Sequence, residues 1–477
     1  MSEPVDHDES FRDTLATIDK RGRRLWVFPT KPSGRLHTAR SIVAAFLLAF
    51  LFGAPFIKVG GNPLLLIDIL HRKFFILGAV FWPQDLYIFV LCTIALVVLV
   101  LLFTAAFGRL FCGWVCPQTI FLEMVFRRIE YWIEGNGPRQ RELARAPWTL
   151  GKVVKKVSKQ IVFFGLSFVV GNTFLSYFIG VDKLFEIIAD DPSNHLTGLI
   201  AMLVFTSAFY FVFAWFREQA CTLVCPYGRL QSVLLDTNTI VVAYDFKRGE
   251  PRGAMARSQE RTGHGDCIDC AACVRVCPTG IDIRNGTQLE CVNCTACIDA
   301  CNKVMDRMKW KRGLIRYSSY NNIALAKPLR FTPRMALYSA VFAVLLTLIG
   351  YFLLNRTQME VTILRTTGSM YELTGNDIVR NLYTVSVANK SGEDMSLELQ
   401  LKSPKGQLTV VGPALKVPAG GLKESILTIE INRNNLYTSN SPIVIEAISR
   451  GKVMQEIRST FVGPEREREH EHEDRHE

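Results

Sequence analysis

The chain has 477 residues, of which 49% are hydrophobic, and a formal net charge of +11. The apolar residues are concentrated in blocks, which favours an integral membrane protein over a soluble one. The positive charge is typical of loops on one membrane face, and the absence of a nucleic-acid-binding motif argues against RNA or DNA as a partner.

Five segments are predicted to cross the membrane, because each is a run of about 20 apolar residues. They are residues 41–58, 85–107, 160–180, 197–216 and 335–354. The segment 63–82 is also apolar but is interrupted by Asp68 and a His-Arg-Lys run, so we predict an interfacial or re-entrant segment. The N-terminus is polar and acidic, which predicts an uncleaved first span rather than a signal peptide.

The basic residues predict the orientation of the spans. Eight Lys and Arg lie in the N-terminal arm 1–40 and ten in the loop 108–159, whereas the loop 181–196 contains only Lys183. Because Lys and Arg accumulate in cytoplasmic loops, the N-terminus and the loops after the second and fourth spans are predicted to be cytoplasmic. The segment after the fifth span is then periplasmic in a diderm bacterium.

The segment 356–463 changes character. Alternating strands such as 381–387 and 426–431 are separated by turn sequences such as NKSGED and PAGG. This pattern predicts a small antiparallel β-sandwich of immunoglobulin-like type. The residues 464–477 are charged and unpatterned, which predicts a disordered tail.

Two runs of cysteines give the most specific signal. Both CIDCAACVRVCPTG at 267–280 and CVNCTACIDAC at 291–301 fit C-x₂-C-x₂-C-x₃-C. This spacing suits two [4Fe–4S] clusters in which the fourth cysteine of each run binds the other cluster. The predicted ligand sets are Cys267, Cys270, Cys273 and Cys301 for one cluster, and Cys277, Cys291, Cys294 and Cys297 for the other. Structural zinc is the alternative, but a third cysteine so close would crowd one tetrahedral ion.

A second cysteine motif occurs twice, as FCGWVCPQTIF and ACTLVCPYGRL. Each copy follows a predicted span and has a proline directly after its second cysteine. This repetition predicts a pseudo-symmetric core. Proline suits the first turn of a helix, whose positive end favours a thiolate on the cysteine before it. If the copies face one another, four soft ligands for Cu(I), zinc or iron–sulfur converge: Cys112, Cys116, Cys221 and Cys225. Packing of small residues at span ends is the alternative, and Cys92, alone in the second span, is predicted to pack in the core.

The predicted fold is therefore a multi-domain membrane protein. A transmembrane bundle covers residues 41–245 and contains the first four spans. A cytoplasmic two-[4Fe–4S] ferredoxin-like domain follows at 246–330. The fifth span at 335–354 then leads to the β-sandwich at 356–463. Clustered cysteines on cytoplasmic segments indicate metal or redox chemistry rather than disulfides.

These motifs resemble a known family. RLWVFPTKPSGR (24–35), GRLFCGWVCPQTIF (108–121) and CTLVCPYGRLQS (221–232) are similar to the cytochrome c oxidase accessory proteins called CcoG, FixG or RdxA. The resemblance runs from about residue 20 to 463. It implies a bacterial inner-membrane polyferredoxin that reduces Cu(II) to Cu(I) during assembly of cbb₃-type cytochrome c oxidase. It also implies contact with oxidase subunits or copper chaperones, membrane lipid, and an unidentified cytoplasmic electron donor.

Carried over onto this sequence, the resemblance assigns roles to twelve cysteines. The eight at 267–301 would relay electrons, and the Cys-x₃-Cys-Pro thiols would form a copper-reducing or copper-holding site. One alternative is a subunit that passes electrons to a periplasmic nitrate or nitrous-oxide reductase. The fifth span and β-sandwich argue against the nitrate type, and the lack of a flavin-attachment domain before the first span argues against the nitrous-oxide type. Another alternative is a non-catalytic assembly scaffold with structural clusters.

Overall fold

The computed structural model describes residues 16–19, 21–69, 73–254, 263–328, 331–366, 371–375, 377–391, 393–436 and 438–464. The chain forms two compact units. The first combines residues 1–56 with 89–349, and the second combines residues 57–88 with 350–477. Most of the predicted disordered tail, 465–477, lies outside the described residues, as do residues 1–15.

Among the described residues, five helical segments are long and apolar enough to cross a membrane. They are Arg35–Phe56, Leu86–Phe107, Leu150–Ile179, Pro192–Phe216 and Pro333–Leu354. Their helices are α1 (Arg35–Gly53), α2 (Leu86–Phe107), α7 (Leu150–Ile179), α9 (Leu196–Phe211) and α15 (Pro333–Leu354). Each coincides with a predicted span. Helix α7 begins before residue 160 because the Thr149 side chain caps it by accepting a hydrogen bond from the Lys152 amide.

Shorter helices follow the second, third and fourth spans in the first unit. They are α3 (Leu110–Trp114), α4 (Pro117–Ile120), α5 (Arg127–Ile133), α6 (Gly137–Arg145), α8 (Val181–Ala189) and α10 (Pro226–Leu234). A π-helical turn, Phe121–Phe126, joins α4 to α5, and another, Val212–Phe216, extends α9. The rings of Phe126 and Phe213 stack with centroids 4.8 Å apart. This aromatic contact connects the helix after the first Cys-x₃-Cys-Pro motif to the span before the second.

The ferredoxin-like domain is built around one antiparallel pair, β6 (Val241–Tyr244) with β7 (Ile315–Ser318). Its helices are α11 (Phe246–Gly249), α12 (Ala272–Val276), α13 (Ala296–Met308) and α14 (Tyr320–Leu325). Val242, Met305 and Ile315 are buried in its core. Because β6 pairs with β7, this domain begins before residue 246, where the sequence places its boundary.

The second unit contains a β-sandwich of immunoglobulin-like type. Its strands are β8 (Met359–Arg365), β9 (Glu372–Thr374), β10 (Ile378–Asn389), β11 (Met395–Ser403), β12 (Gly406–Val411), β13 (Leu415–Val417), β14 (Leu422–Asn432), β15 (Asn440–Ser449) and β16 (Lys452–Val462). One sheet has the order β12-β14-β10-β8 with β9 on β10, and the other has β13-β11-β15-β16. Alternate residues of each strand, such as Val385 and Ile429, are fully buried between the sheets.

The described part of the segment 63–82 forms β-strands rather than a span or a re-entrant helix, so the re-entrant alternative is wrong, and the interfacial alternative stays a prediction. It forms β2 (Asn62–Pro63), which pairs with β1 (Lys58–Val59), and the antiparallel meander of β3 (Leu65–Asp68), β4 (Lys73–Ile76) and β5 (Ala79–Phe81). Within the second unit Val80 and Trp82 form a buried cluster with Ala388 of the sandwich, whereas Ile69 and Leu77 are exposed. The carboxylate of Asp85, which follows the segment, pairs with Arg356 at 2.7 Å and with Lys390 at 2.6 Å. Long-range packing therefore buries part of this apolar segment.

Candidate redox site

The two ferredoxin-like runs of cysteines follow the same backbone path. In the first run Asp269 and Ala271 adopt the left-handed conformation, with φ of 50° and 49°. In the second run Asn293 and Thr295 do so, with φ of 53° and 66°. These residues occupy equivalent positions, directly before α12 and α13, and such non-glycine conformations are uncommon. The repeated turns are the local structure that lets three closely spaced cysteines surround one centre.

Two cavities lie inside the ferredoxin-like domain. The lining of the first includes Cys267, Cys270, Cys273 and Cys301. The lining of the second includes Cys277, Cys291, Cys294 and Cys297, and also Cys273. Each cavity thus brings together three cysteines of one run and the fourth of the other.

The chemistry of these thiols fits [4Fe–4S] clusters. Burial raises the pKa of Cys273 and of Cys301 to about 12, and that of Cys294 to about 11. Such thiols stay protonated near neutral pH unless a metal compensates for burying the thiolate. Among the described residues no three His, Cys, Asp or Glu side chains converge closely enough to hold a single metal ion. Separated thiolates around a cavity suit a cube in which each cysteine binds a different iron.

The Cys-x₃-Cys-Pro motifs share a second local structure. Pro117 and Pro226 each begin a helix, α4 and α10, and Cys116 and Cys225 are the N-cap residues before them. The helix that begins at Pro117 continues through the π-helical turn into α5. Both second cysteines therefore lie at the positive end of a helix.

The two motifs pack against each other. The Cys112 thiol donates to Gln231 Oε1 at 3.5 Å, and the ring of Phe111 meets that of Tyr227 edge to face at 6.2 Å. Gln231 is fully buried. Since Phe111 and Cys112 belong to the first motif and the other two residues to α10, the repeated halves form one shared site.

All four of these cysteines are half-buried and lie within electrostatic reach of one another. Burial, followed by negative charge on Cys116, Cys112 and Cys225, raises the pKa of Cys221 to about 12. Burial also raises the pKa of Cys112 to about 11. The two motifs therefore place their four thiols in one neighbourhood.

The first motif also touches the wall of the second cavity. A side-chain carbon added at Gly113 would overlap the carbonyl oxygen of Val292, so only glycine allows this close approach. Cys112 packs against the buried cluster that contains Val292 and Cys294. Arg40 Nε holds the loop by donating to the Gly113 carbonyl at 2.5 Å. The four-thiol site and the second cavity are therefore in direct van der Waals contact.

Two buried arginines at this contact escaped the sequence analysis. Arg40 and Arg109 are 3% and 6% exposed. Arg109 donates to the backbone carbonyls of Gly228 and Leu289, which belong to α10 and to the ferredoxin-like domain. Its charge also opposes the rise in the pKa of Cys112 and Cys221. The sequence signal is that Arg109 lies three residues before Cys112.

A buried ion-pair network joins the segments that flank the two motifs. Arg217, just before the second motif, makes a bidentate pair with Glu130 of α5 at 2.7 and 2.8 Å. Glu218 pairs with Arg24 at 3.1 Å and lies 3.6 Å from Arg127. Removing one partner from such a pair leaves an uncompensated buried charge, so this network fixes the segments relative to each other.

Cys92 does not pack in the core. Its side chain is exposed on the surface of α2, and in a membrane-spanning helix such a surface faces lipid. The prediction that this residue is core packing is therefore wrong.

Comparison with protein-family models assigns iron–sulfur chemistry to both cysteine-rich regions. A model described as a 4Fe-4S dicluster domain matches residues 216–320. A model described as a 4Fe-4S binding domain matches residues 89–136. A model described as the IG-like fold at the C-terminal of FixG matches residues 349–464.

Three curated relatives resemble the chain over most of its length. Protein RdxA of Cereibacter sphaeroides is 37% identical over 83% of this chain and 85% of its own. The chain belongs to the FixG/RdxA family. Nitrogen fixation protein FixG of Rhizobium meliloti is 31% identical over 82% of both chains. Protein RdxB of Cereibacter sphaeroides is 33% identical over 79% of this chain and 82% of its own.

One solved structure matches part of the chain. The crystal structure of a FixG-related protein from Vibrio parahaemolyticus is 18% identical and covers 22% of this chain and 95% of its own, with a TM-score of 0.19.

Family membership and the 4Fe–4S domains identify the protein as a membrane-bound iron–sulfur electron-transfer protein.

Proposed function

We propose that this protein reduces Cu(II) to Cu(I) for the assembly of a cbb₃-type cytochrome c oxidase. The observation that carries the proposal is the contact between the loop of Cys112 and Gly113 and the wall of the second cysteine-lined cavity. When bound, the two clusters supply one-electron transfer. The contact gives electrons a short path to thiols whose soft sulfur suits Cu(I).

Residues of the chain form both ends of this electron path, the cluster sites and the Cys-x₃-Cys-Pro thiols. Thiolates from the two ferredoxin-like runs would hold the clusters, and the apolar side chains of Val242, Ile281 and Ile283 line the second cavity and exclude water from it. At the other end, the four Cys-x₃-Cys-Pro thiols supply soft sulfur ligands that suit Cu(I). Reduction of Cu(II) consumes one electron and no proton, and a cytoplasmic electron donor would supply that electron.

We also propose a cellular location and partners for the protein. Basic residues in the N-terminal arm and in the loops after the second and fourth spans support a cytoplasmic ferredoxin-like domain in a bacterial inner membrane. The β-sandwich would then lie in the periplasm. There it would contact oxidase subunits or a copper chaperone.

The test compares the wild-type chain with a variant in which all four Cys-x₃-Cys-Pro thiols become serine. Both are purified anaerobically in detergent, reduced with dithionite, freed of excess reductant and mixed with Cu(II) in the presence of a Cu(I)-specific chelator. We expect the variant to lose Cu(I) formation while the electron paramagnetic resonance (EPR) signals of the two ferredoxin-type clusters persist. Undiminished copper reduction by the variant would refute the proposal, and Cys92→Ser is the control for handling and thiol number.

A further inference from the structure

We propose that Cys112, Cys116, Cys221 and Cys225 together hold a third [4Fe–4S] cluster. Two thiols come from each Cys-x₃-Cys-Pro motif, so a complete set of four cysteine ligands exists only when the repeated halves meet. The contacts of Cys112 with Gln231 and of Phe111 with Tyr227 show that they meet. The proposal rests on the electron-transfer role of these thiols and does not depend on copper as the acceptor.

The ligand arrangement favours a cluster over a single ion. In a site for one copper or zinc ion the sulfur atoms converge around one centre about 2.3 Å from each of them. Within the described residues no three potential ligands converge in that way, and the eight ferredoxin-type cysteines do not either. The four thiols share this property with the cysteines that line the two cavities.

The family comparison points to the same residues. The match to a 4Fe-4S binding domain spans 89–136, and its cysteines are Cys92, Cys112 and Cys116. Cys92 is exposed on α2. The remaining two thiols cannot complete a cluster, because a cube needs four ligands. The contacts between the halves identify Cys221 and Cys225 as the other two.

The surroundings suit an anionic cluster. Arg109 is 6% exposed, its charge acts on both Cys112 and Cys221, and its Nε is a buried donor with no hydrogen-bond partner among the described residues. The helix N-termini at Cys116 and Cys225 add positive potential from two further directions. The negative charge of a cluster held by the two half-buried thiolate pairs would thus be compensated by one arginine and two helix dipoles.

The position of the site also fits a cluster. Gly113 and Cys112 contact the wall of the second cavity through Val292 and Cys294. A cluster at the four thiols would therefore be the third in a row: the cavity of Cys267, the cavity of Cys291, and the Cys-x₃-Cys-Pro site. The two ferredoxin-type clusters would supply its electrons, and its outer side would face the acceptor.

Iron and acid-labile sulfide counts test this directly. The full-length chain is purified anaerobically in detergent after its clusters are reconstituted, and iron and sulfide are measured per chain. We expect about twelve of each in the wild type and about eight in a Cys112→Ala, Cys221→Ala variant, because each cluster has four. Cys92→Ala should keep about twelve.

The wild-type measurement keeps the test decisive if the variant does not fold. About eight iron atoms per wild-type chain, with four thiols open to alkylation or occupied by copper, would overturn the third cluster. That result would leave copper reduction standing. Conversely, about twelve iron atoms together with unchanged copper reduction in the four-serine variant would support the cluster and refute copper reduction at this site.

Discussion

The two Cys-x₃-Cys-Pro motifs have one sequence pattern and two different surroundings. In the first, Gly113 lies directly on the backbone at Val292, and Cys112 packs against the wall of the second cavity. In the second, Thr222 occupies the position of Gly113, and Val224 is 65% exposed, against 39% for its counterpart Val115. A duplicated motif has thus acquired one half that contacts the ferredoxin-like domain and one half that is more exposed at this position.

This difference suggests a division of labour within the four-thiol site. The first motif is positioned to receive electrons because it touches the domain that carries them. The second motif supplies the complementary thiols and the surface open to an acceptor. The predictions below test whether the two halves are unequal in this way.

Loss of the ion pair that links the halves should have the largest effect. Glu130→Gln would leave the buried guanidinium of Arg217 without its bidentate partner, and we expect a loss of about 3–5 kcal/mol in the free energy of unfolding. Denaturant titration of the detergent-solubilised chain measures this. Glu456→Gln, which affects an exposed pair with Lys402, is the control and should leave the unfolding midpoint unchanged. An equal effect of the two substitutions would contradict the role of the buried network.

The next effect concerns the contact at Gly113. Gly113→Val would force the first motif away from Val292, and we expect electron transfer to the four-thiol site to slow by about tenfold or more. Thr222→Val at the equivalent position of the second motif is the matched control. Single-turnover copper reduction after dithionite loading measures both. Equal rates for the two variants would show that the contact does not carry the electrons.

We expect substitution of Arg109 to change the midpoint potential of a cluster rather than the fold. Its charge reaches Cys291 as well as the Cys-x₃-Cys-Pro thiols. Arg109→Gln removes a positive charge that stabilises the more negative, reduced form, so we expect the midpoint potential of the cluster at Cys291 to fall. An EPR-monitored redox titration measures it, with the cluster at Cys267 in the same molecule as the internal reference. Equal shifts of both potentials would indicate a general disturbance instead.

The smallest effect is expected where the second motif is made to resemble the first. Thr222→Gly removes only the hydrogen bond from the Thr222 hydroxyl to the Gln219 carbonyl at 3.4 Å. Because glycine is flexible, the substitution should lower the free energy of unfolding by about 1 kcal/mol. Copper reduction should therefore remain within about twofold of the wild-type rate. A loss like that of Gly113→Val would mean that the two halves are functionally equivalent.

Local signals made several features predictable. Apolar runs long enough to span a bilayer identify the membrane helices without knowledge of the segments that pack against them. The reason is that apolar side chains are stable in lipid regardless of their protein neighbours. Cys-x₂-Cys spacing limits which thiols can surround one cluster, so the predicted pairing of Cys277 with the second run follows from short-range geometry. Proline after Cys116 and Cys225 predicts helix starts for the same local reason.

Other features depended on residues far apart in the chain. The apolar segment 63–82 looked membrane-associated, yet part of it, at Val80 and Trp82, is buried by packing with Ala388 in the second unit. Arg109 and Arg40 looked like ordinary loop charges, and only their backbone acceptors, such as Leu289 and Gly113, show that they are buried. A charge run in a sequence does not reveal whether partners will compensate for its burial.

The sequence by itself determined the spans, the two groups of cysteines that line the cavities, the β-sandwich and the duplication of the Cys-x₃-Cys-Pro motif, because each depends on spacing or periodicity within a short stretch. Only the tertiary structure decided that the two motifs meet at Cys112 and Gln231, and that Gly113 brings this site onto the second cavity. The physical reason is that close contact between distant segments depends on the complementary shapes and charges of both, and neither segment contains that information alone.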